Sequence, residues 1–323
     1  GQSGGNHGAV NLFWGAPLAN HPPDEVIAPS EADWRGLGSL PNVLFGHDIH
    51  IADVGSDGVK DIIVTDPRGL NEDGVRSGVA YVYTVGEDTQ LPDEPSQVVE
   101  GLEPLDYFGT GVTVTDGAVA VMASRDDAHG LDVGRPFTHV DGEPLPLEFP
   151  GIGTGDAYGQ SVTFTGDLTG DGLEDLVVGV PMEDAQELGA NAGVAMIYRG
   201  TQTGVESEPA AVLKGFRTHT GNDQFGKEVF DMGDVDGDGY ADLGVLSGVE
   251  ELPGINAFGD GLFNDGACEF GSPNVGALYI FRGTSDGAPQ AEPAFIVYGL
   301  KTGSRLDSVL GGGDVNGDGR DEI

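Results

Sequence analysis

The stretch Asp167-Leu-Thr-Gly-Asp-Gly-Leu-Glu-Asp175 runs directly into the apolar segment Leu176-Val-Val-Gly-Val-Pro181. Side chains that carry oxygen stand at positions 1, 3, 5 and 9 of this nine-residue loop, and glycines stand at positions 4 and 6. Glycine permits the sharp backbone turns that such a loop needs. The apolar segment has the length of a short strand and no helical period, so we expect the loop to join two β-strands.

The same loop recurs twice, as Asp234-Val-Asp-Gly-Asp-Gly-Tyr-Ala-Asp242 and as Asp314-Val-Asn-Gly-Asp-Gly-Arg-Asp-Glu322. Hard oxygen ligands at this spacing, together with an inward-turned carbonyl at position 7, suit Ca²⁺, which takes six to eight oxygens. A metal-free hairpin held by Asx turns is the alternative, but carboxylates gathered without a cation repel one another. The sequence therefore predicts three calcium sites. Their ligands are Asp167, Thr169, Asp171, Leu173 and Asp175; Asp234, Asp236, Asp238, Tyr240 and Asp242; Asp314, Asn316, Asp318, Arg320 and Glu322.

Two further loops are weaker versions of this pattern. Asp53-Val-Gly-Ser-Asp-Gly-Val-Lys-Asp61 has Gly55 where a ligand is expected, so either water completes the site or it is empty. A fourth calcium ion there would be held by Asp53, Asp57, Val59 and Asp61. The corresponding segment Thr115-Asp-Gly-Ala118 is too short for the loop and predicts a tight turn that binds no calcium.

Three other marks repeat in a constant order along the chain. They are an aromatic-Gly pair, a Gly-led strand and an apolar stretch that ends in Gly, as in Phe225-Gly226, Gly193–Tyr198 and Ala211–Gly215. With the strand after the loop, each unit has four short strands, which is typical of β-propeller blades. A parallel β-helix is less compatible, because its repeats are much shorter. We therefore predict an all-β, single-domain propeller of antiparallel blades. It comprises a half blade at 1–36, full blades at 37–101, 102–151, 152–215 and 216–299, and a half blade at 300–323.

These marks resemble the FG-GAP repeats of integrin α-subunit propellers and their prokaryotic relatives. The resemblance rests on the aromatic-Gly pairs, the three loops and the strand ends Val-Gly-Val-Pro181 and Val-Thr-Asp-Pro67. The sequence departs from the pattern at Arg305-Leu306, which replaces an aromatic-Gly pair, and at Leu246-Ser-Gly248. The resemblance implies seven blades, structural calcium and ligand contacts on the face opposite the calcium loops. Because the chain holds four full units and two halves, we expect a longer parent protein, proteolysis or completion of the open blade by another chain, with closure of a five-bladed propeller by this chain alone as the alternative.

Composition excludes several classes of function. The chain of 323 residues has 54 Asp+Glu against 14 Lys+Arg, a net charge of −40 that disfavours binding to nucleic acid or anionic lipid. No apolar run has the length of a membrane-spanning helix. The single cysteine, Cys268, cannot form an internal disulfide and is expected to be an inert thiol, with pairing to a missing segment as the alternative. The acid excess fits a halophilic or marine source, although a GC-rich genome also favours Arg over Lys.

The sequence offers no convergent catalytic set, so we predict that the protein is not an enzyme. His47 and His50 point to opposite faces of a strand, which disfavours a shared metal. The last full unit contains an insertion, because Asp234 and Gly276 are 42 residues apart whereas Asp167 and Gly193 are 26 apart. The insertion carries three aromatic residues, Phe258, Phe263 and Phe270. We expect these residues either to contact a ligand or to be buried over their own blade.

The predicted function is an extracellular, calcium-stabilised binding, adhesion or scaffold module, secreted or at the cell surface, with a protein or carbohydrate ligand. One alternative is a secreted carbohydrate- or lipid-active enzyme, or its accessory propeller. The other is a subunit of a surface layer or filament that is completed by strand exchange.

Overall fold

In the computed structural model, the named elements of the described residues are all β-strands. The structure describes residues 8–13, 30, 32–38, 43–54, 57–85, 91–101, 104–105, 107–115, 118–123, 135–140, 143–145, 157–184, 191–202, 204–215, 223–248, 276–299 and 313–321. These residues include no helix that is long and apolar enough to cross a membrane. The predicted ligand aromatics Phe258, Phe263 and Phe270, together with Cys268, Arg305, Leu306 and Glu322, lie outside the described residues.

Four four-stranded antiparallel sheets follow one another along the chain, and each joins its strands in sequence order. Blade one contains β3 (Ile49–Ala52), β4 (Asp61–Asp66), β5 (Val79–Tyr83) and β6 (Gln97–Glu100). Blade two contains β7 (Phe108–Thr115), β8 (Ala118–Ala123), β9 (Arg135–Val140) and β10 (Glu143–Leu145). Blade three contains β11 (Ser161–Thr165), β12 (Asp175–Val180), β13 (Val194–Tyr198) and β16 (Ala211–Lys214). Blade four contains β17 (Phe225–Gly233), β18 (Asp242–Ser247), β19 (Ala277–Phe281) and β20 (Phe295–Tyr298).

Two smaller sheets complete the described strands. β1 (Ala9–Leu12) pairs with β2 (Trp34–Leu37) ahead of blade one. The two-residue strands β14 (Gly200–Thr201) and β15 (Gly204–Val205) form a small hairpin after β13. The sequence pattern did not predict this hairpin, because two residues are too few to carry an alternating signal.

The second strand of a blade is buried on both faces. Every residue of β4, β12 and β18 is buried. The outermost strands alternate instead, as β20 does between exposed and half-buried residues. A strand that is covered on both faces needs no polar alternation, which explains the continuous apolar runs that follow the loops.

Neighbouring blades share hydrophobic cores through their aromatic-Gly pairs. Phe225 opens β17 and is fully buried against Tyr279 and Phe281, with ring centroids 5.1 Å and 6.1 Å away and steep interplanar angles. The same cluster contains Val177 and Ile197 of blade three. Sheets stacked face to face in this way form a β-propeller.

A glycine at the head of the third strand permits this close packing in blades one and three. Gly193 has φ +80°, and a Cβ added there would overlap the carbonyl oxygen of Phe225 and lie 2.7 Å from its amide nitrogen. The equivalent approaches join Gly78 to Phe108 and Gly8 to Phe45. Gly8 thus approaches the aromatic residue of blade one as Gly78 and Gly193 approach those of the blades that follow them.

Blade two differs from the pattern at its outer edge. The fourth strand of the described sheet is β10, which follows β9 almost directly. The stretch Pro146-Leu-Glu-Phe-Pro-Gly151 has the mark of an apolar segment that ends in Gly, so the repeat pattern predicts a fourth strand there. Residues 146–151 lie outside the described residues.

Candidate metal loops

The carboxylate loops connect the first and second strands of their blades. The Asp53 loop joins β3 to β4, the Asp167 loop joins β11 to β12, and the Asp234 loop joins β17 to β18. In blade two, Thr115 and Ala118 are register partners at the junction of β7 and β8. No room for a nine-residue loop exists there, in agreement with the predicted tight turn.

The carboxylate at position 1 accepts hydrogen bonds from backbone N–H groups of its own loop. Asp167 accepts hydrogen bonds from the backbone N–H groups of Gly170, Asp171 and Gly172 at 2.6, 3.0 and 2.9 Å. The two glycines have φ values of +80° and +88°, a region that other residues rarely adopt. The equivalent bonds run from Gly237, Asp238 and Gly239 to Asp234, from Gly317, Asp318 and Gly319 to Asp314, and from Asp57 and Gly58 to Asp53.

Position 5 continues the same pattern. Asp171 accepts the N–H of Leu173 at 2.9 Å, and Asp238 accepts the N–H of Tyr240 at 3.0 Å. Asp57 makes the equivalent bond to Val59 at 2.8 Å. The weak loop of blade one therefore keeps these bonds in spite of Gly55, as does the last loop, where Asp318 accepts the N–H of Arg320.

The carboxylate at position 9 has a structural role that the sequence analysis missed. Asp175 is fully buried and accepts the N–H groups of Leu168 at 2.9 Å, Thr169 at 2.8 Å and Gly200 at 3.0 Å. It thereby ties the start of the loop to the end of the third strand. Asp61 holds Val54 and Val85, and Asp242 holds Val235 and Gly283, in the same way. The sequence feature that could have indicated this bond is the glycine two residues after the third strand, which is Gly200 in blade three and Gly283 in blade four.

Burial makes two of these position-9 groups, Asp175 and Asp242, hard to ionise. Burial raises the pKa of Asp175 in spite of its three N–H donors. Burial also raises the pKa of Asp242 to about 6, and the neighbouring charges of Asp236 and Asp238 add to the shift. A bound cation would stabilise the charged form of such a carboxylate.

Blade four brings three carboxylates within reach of one ion. Oxygen atoms of Asp234, Asp236 and Asp242 all lie within 4.8 Å of one another, and this is the one such group among the described residues. Two oxygens on opposite sides of a calcium ion lie about 5 Å apart, given Ca–O distances of 2.3–2.6 Å. The donor set and its spacing therefore fit a hard divalent cation. Asp238 is not part of this group, and the ligands predicted in the other loops, including the position-7 carbonyls, stay predictions.

Adjacent loops are hydrogen bonded across the blade boundary. The N–H of Ala241, at position 8, donates to the carbonyl of Asp167 at 3.0 Å. In the last loop, Asp321 at position 8 donates to the carbonyl of Asp234, also at 3.0 Å. Residues 313–321 therefore lie against blade four as the blade-four loop lies against blade three.

On the opposite face, blade one gathers charged side chains near the ends of β3 and β4. His50 Nε2 lies 3.2 Å from Asp48 Oδ2, so this histidine pairs with a carboxylate. Burial would raise the pKa of Asp48, but the hydrogen bond and charge of His50 and the N–H of Ile49 outweigh it and lower that pKa. Asp66 accepts the N–H groups of Leu44 at 2.7 Å and Arg68 at 3.1 Å.

Comparison with known proteins gives a consistent relationship. The family model described as "FG-GAP repeat" matches residues 158–197, from the aromatic-Gly pair of blade three to the end of its third strand. Integrin alpha-5 of Xenopus laevis is 28% identical over 229 residues, which cover 65% of this chain and 20% of that protein. Integrin alpha-6 of Gallus gallus is 26% identical over 241 residues, covering 72% of this chain and 17% of that protein. The chain thus spans about a fifth of the length of these curated relatives.

Among solved structures, one titled "Structure of Dos1 propeller" covers 82% of this chain and 49% of its own, with a TM-score of 0.38 and 10% identity.

Proposed function

Since the chain is a β-propeller protein of the FG-GAP, integrin α-like family, we propose that it is an extracellular binding or adhesion module whose carboxylate loops hold structural calcium. The proposal depends above all on the cluster of Asp234, Asp236 and Asp242, whose oxygens are spaced for one cation. Three calcium sites are proposed, at the loops that begin at Asp167, Asp234 and Asp314, with a fourth at Asp53. Each ion would tie a hairpin to its blade and add its binding free energy to stability.

The proposed ligand surface is the face opposite the loops. It is formed by the connections from second to third strands and from fourth strands to the next blade. In blade one it carries Arg68 and Arg76, two of only 14 basic residues in the chain, and both are exposed. In blade four it is the place of the insertion at 252–272. A protein or carbohydrate with acidic groups would complement the arginines.

The position of residues 313–321 against blade four supports the proposed division into blades, with 300–323 opening a further blade. We propose that a further segment or a further chain supplies the remaining strands of this blade.

Calcium is tested first, by thermal unfolding of the chain in EGTA and in about 1 mM calcium, a concentration suited to extracellular modules. A site with a Kd of about 0.1 mM is then at about ten times its Kd and adds about 1.4 kcal/mol to the free energy of unfolding, so we expect a rise in Tm that grows with the number of filled sites. Asp234→Asn is the matched variant and should lose part of that rise. Equal Tm values with and without calcium would refute the calcium sites.

Ligand binding is then tested by retention on a panel of polysaccharides and extracellular matrix proteins, with product release recorded in the same wells. We expect retention without turnover. The double variant Arg68→Gln/Arg76→Gln should weaken retention, whereas Lys60→Gln, on the loop face, should not. Turnover of a panel member would instead favour the enzyme alternative.

A further inference from the structure

Blades three and four carry an arginine at the same place, directly after the third strand. The segments are Ile197-Tyr-Arg-Gly-Thr201 and Ile280-Phe-Arg-Gly-Thr284. The two guanidinium groups have different partners. Arg282 places Nε 3.0 Å from Asp236 Oδ2, at the third position of its own carboxylate loop. Arg199 donates instead to the carbonyl oxygen of Gly287, with Nε at 3.0 Å.

The loop sequences explain this difference. Position 3 is Thr169 in blade three and Asp236 in blade four, so only blade four offers a carboxylate to the arginine. A second guanidinium comes from the last loop, where Arg320 lies over Gly237. A Cβ added to Gly237 would be 3.3 Å from Arg320 Cγ and 3.4 Å from its Nε. In a chain with 54 acidic and 14 basic residues, two arginines at one carboxylate loop are a specific feature of that loop.

We propose that Arg282 lowers the cation affinity of the blade-four loop by holding Asp236, one of the three clustered carboxylates. The inference rests on the proposed calcium function. An incoming Ca²⁺ must displace or share the paired carboxylate, and it meets the repulsion of the fixed guanidinium charge. Arg282 and Asp236 are 45% and 25% exposed, so solvent screens the effect. Exposed ion pairs of this kind correspond to about a two- to fivefold change in an equilibrium constant. The blade-four loop therefore fills at a higher calcium concentration than it would if Arg282 did not hold Asp236.

Tyr240 makes this loop observable by itself. It stands at position 7, where the blade-three and last loops have Leu173 and Arg320. Terbium, a calcium substitute, luminesces when a nearby tyrosine is excited. We therefore titrate the calcium-free chain with Tb³⁺ at low ionic strength and displace it with Ca²⁺. Tyr240→Phe should remove the signal and so assign it to this loop.

The test compares the parent with three variants. Arg282→Gln should tighten Tb³⁺ and Ca²⁺ binding by about two- to fivefold, and high salt should shrink the difference. Arg282→Lys keeps the charge and should stay close to the parent. Arg199→Gln, which removes one charge at the matched position, should leave the blade-four signal unchanged. Unfolding in EGTA checks that each variant folds.

Unchanged or weaker binding by Arg282→Gln would overturn the inference while leaving the calcium sites intact. An equal gain in Arg199→Gln would also overturn it, because the effect would then be one of net charge. If neither Tb³⁺ nor Ca²⁺ binds the parent or Arg282→Gln, the proposed calcium function fails together with the inference.

Discussion

Replacing Asp175 by alanine should destabilise the protein even without metal. The carboxylate is fully buried and accepts three backbone N–H groups, from Leu168, Thr169 and Gly200. Each buried donor left without a partner costs about 1–3 kcal/mol. Water entering the vacated space would satisfy some donors, and burial already raises the pKa of Asp175 and so opposes its charged form. The lower part of the range therefore applies, and we expect Asp175→Ala to lose about 3–5 kcal/mol of unfolding free energy.

The assay is urea unfolding followed by circular dichroism, in EGTA and in calcium, with unchanged m values as a check on the comparison. Asp171→Ala is the control, since that side chain lies in the same loop and accepts one N–H, from Leu173. In EGTA it should lose about 1 kcal/mol. If both variants match the parent in EGTA and differ only in calcium, Asp175 acts through the metal alone and the reasoning fails.

Three further predictions concern pH, backbone and core. Burial raises the pKa of Asp242 to about 6, so its protonated form stabilises the metal-free fold below pH 4, and this contribution is lost as pH rises through 6. Because protons then compete less with calcium for this carboxylate, the gain in Tm from calcium should grow between pH 5 and pH 7. A gain that is constant over this range would contradict the prediction. Gly193→Ala should lose about 3 kcal/mol or more of unfolding free energy, because the added Cβ would overlap a backbone oxygen of the next blade. Gly172 has a similar φ but open space around it, so Gly172→Ala should lose about 1 kcal/mol. Chemical denaturation measures both values. Tyr158→Phe removes a buried hydroxyl that lies 2.6 Å from the hydroxyl of Tyr198, so it should lower the free energy of unfolding by about 1–2 kcal/mol. A denaturation midpoint equal to that of the parent would contradict this.

The repeated marks predicted the blades because each mark meets a constraint that recurs in every blade. The glycine that leads each third strand is one example. The sequence indicates only that Gly193 opens a strand, and the structure shows why, since Phe225 of the next blade leaves no space for a side chain. The same constraint acts at Gly8 and Gly78 and therefore leaves a period in the sequence.

Features that depend on tertiary partners could not be predicted. Asp175 was predicted as a ligand, and its bond to the N–H of Gly200 joins residues 25 positions apart. Arg199 and Arg282 stand in local sequences that differ only in Tyr198 against Phe281, and their different partners reflect the residue at position 3 of the neighbouring loop. In blade two, the outer strand of the sheet is β10, which needs only a short turn after β9 and carries no repeated mark, while the predicted fourth strand at 146–151 lies outside the described residues.

The hydrogen bonds that link successive loops have a thermodynamic consequence. The N–H of Ala241 donates to the carbonyl of Asp167, and the N–H of Asp321 donates to the carbonyl of Asp234, so the loops of blades three and four each supply an acceptor for the loop that follows. In a linear array with such nearest-neighbour contacts, ordering one unit lowers the cost of ordering the next. If the proposed calcium ions bind these three loops, they would fill them with positive cooperativity without touching one another, and the saturation curve would be steeper than that of independent sites.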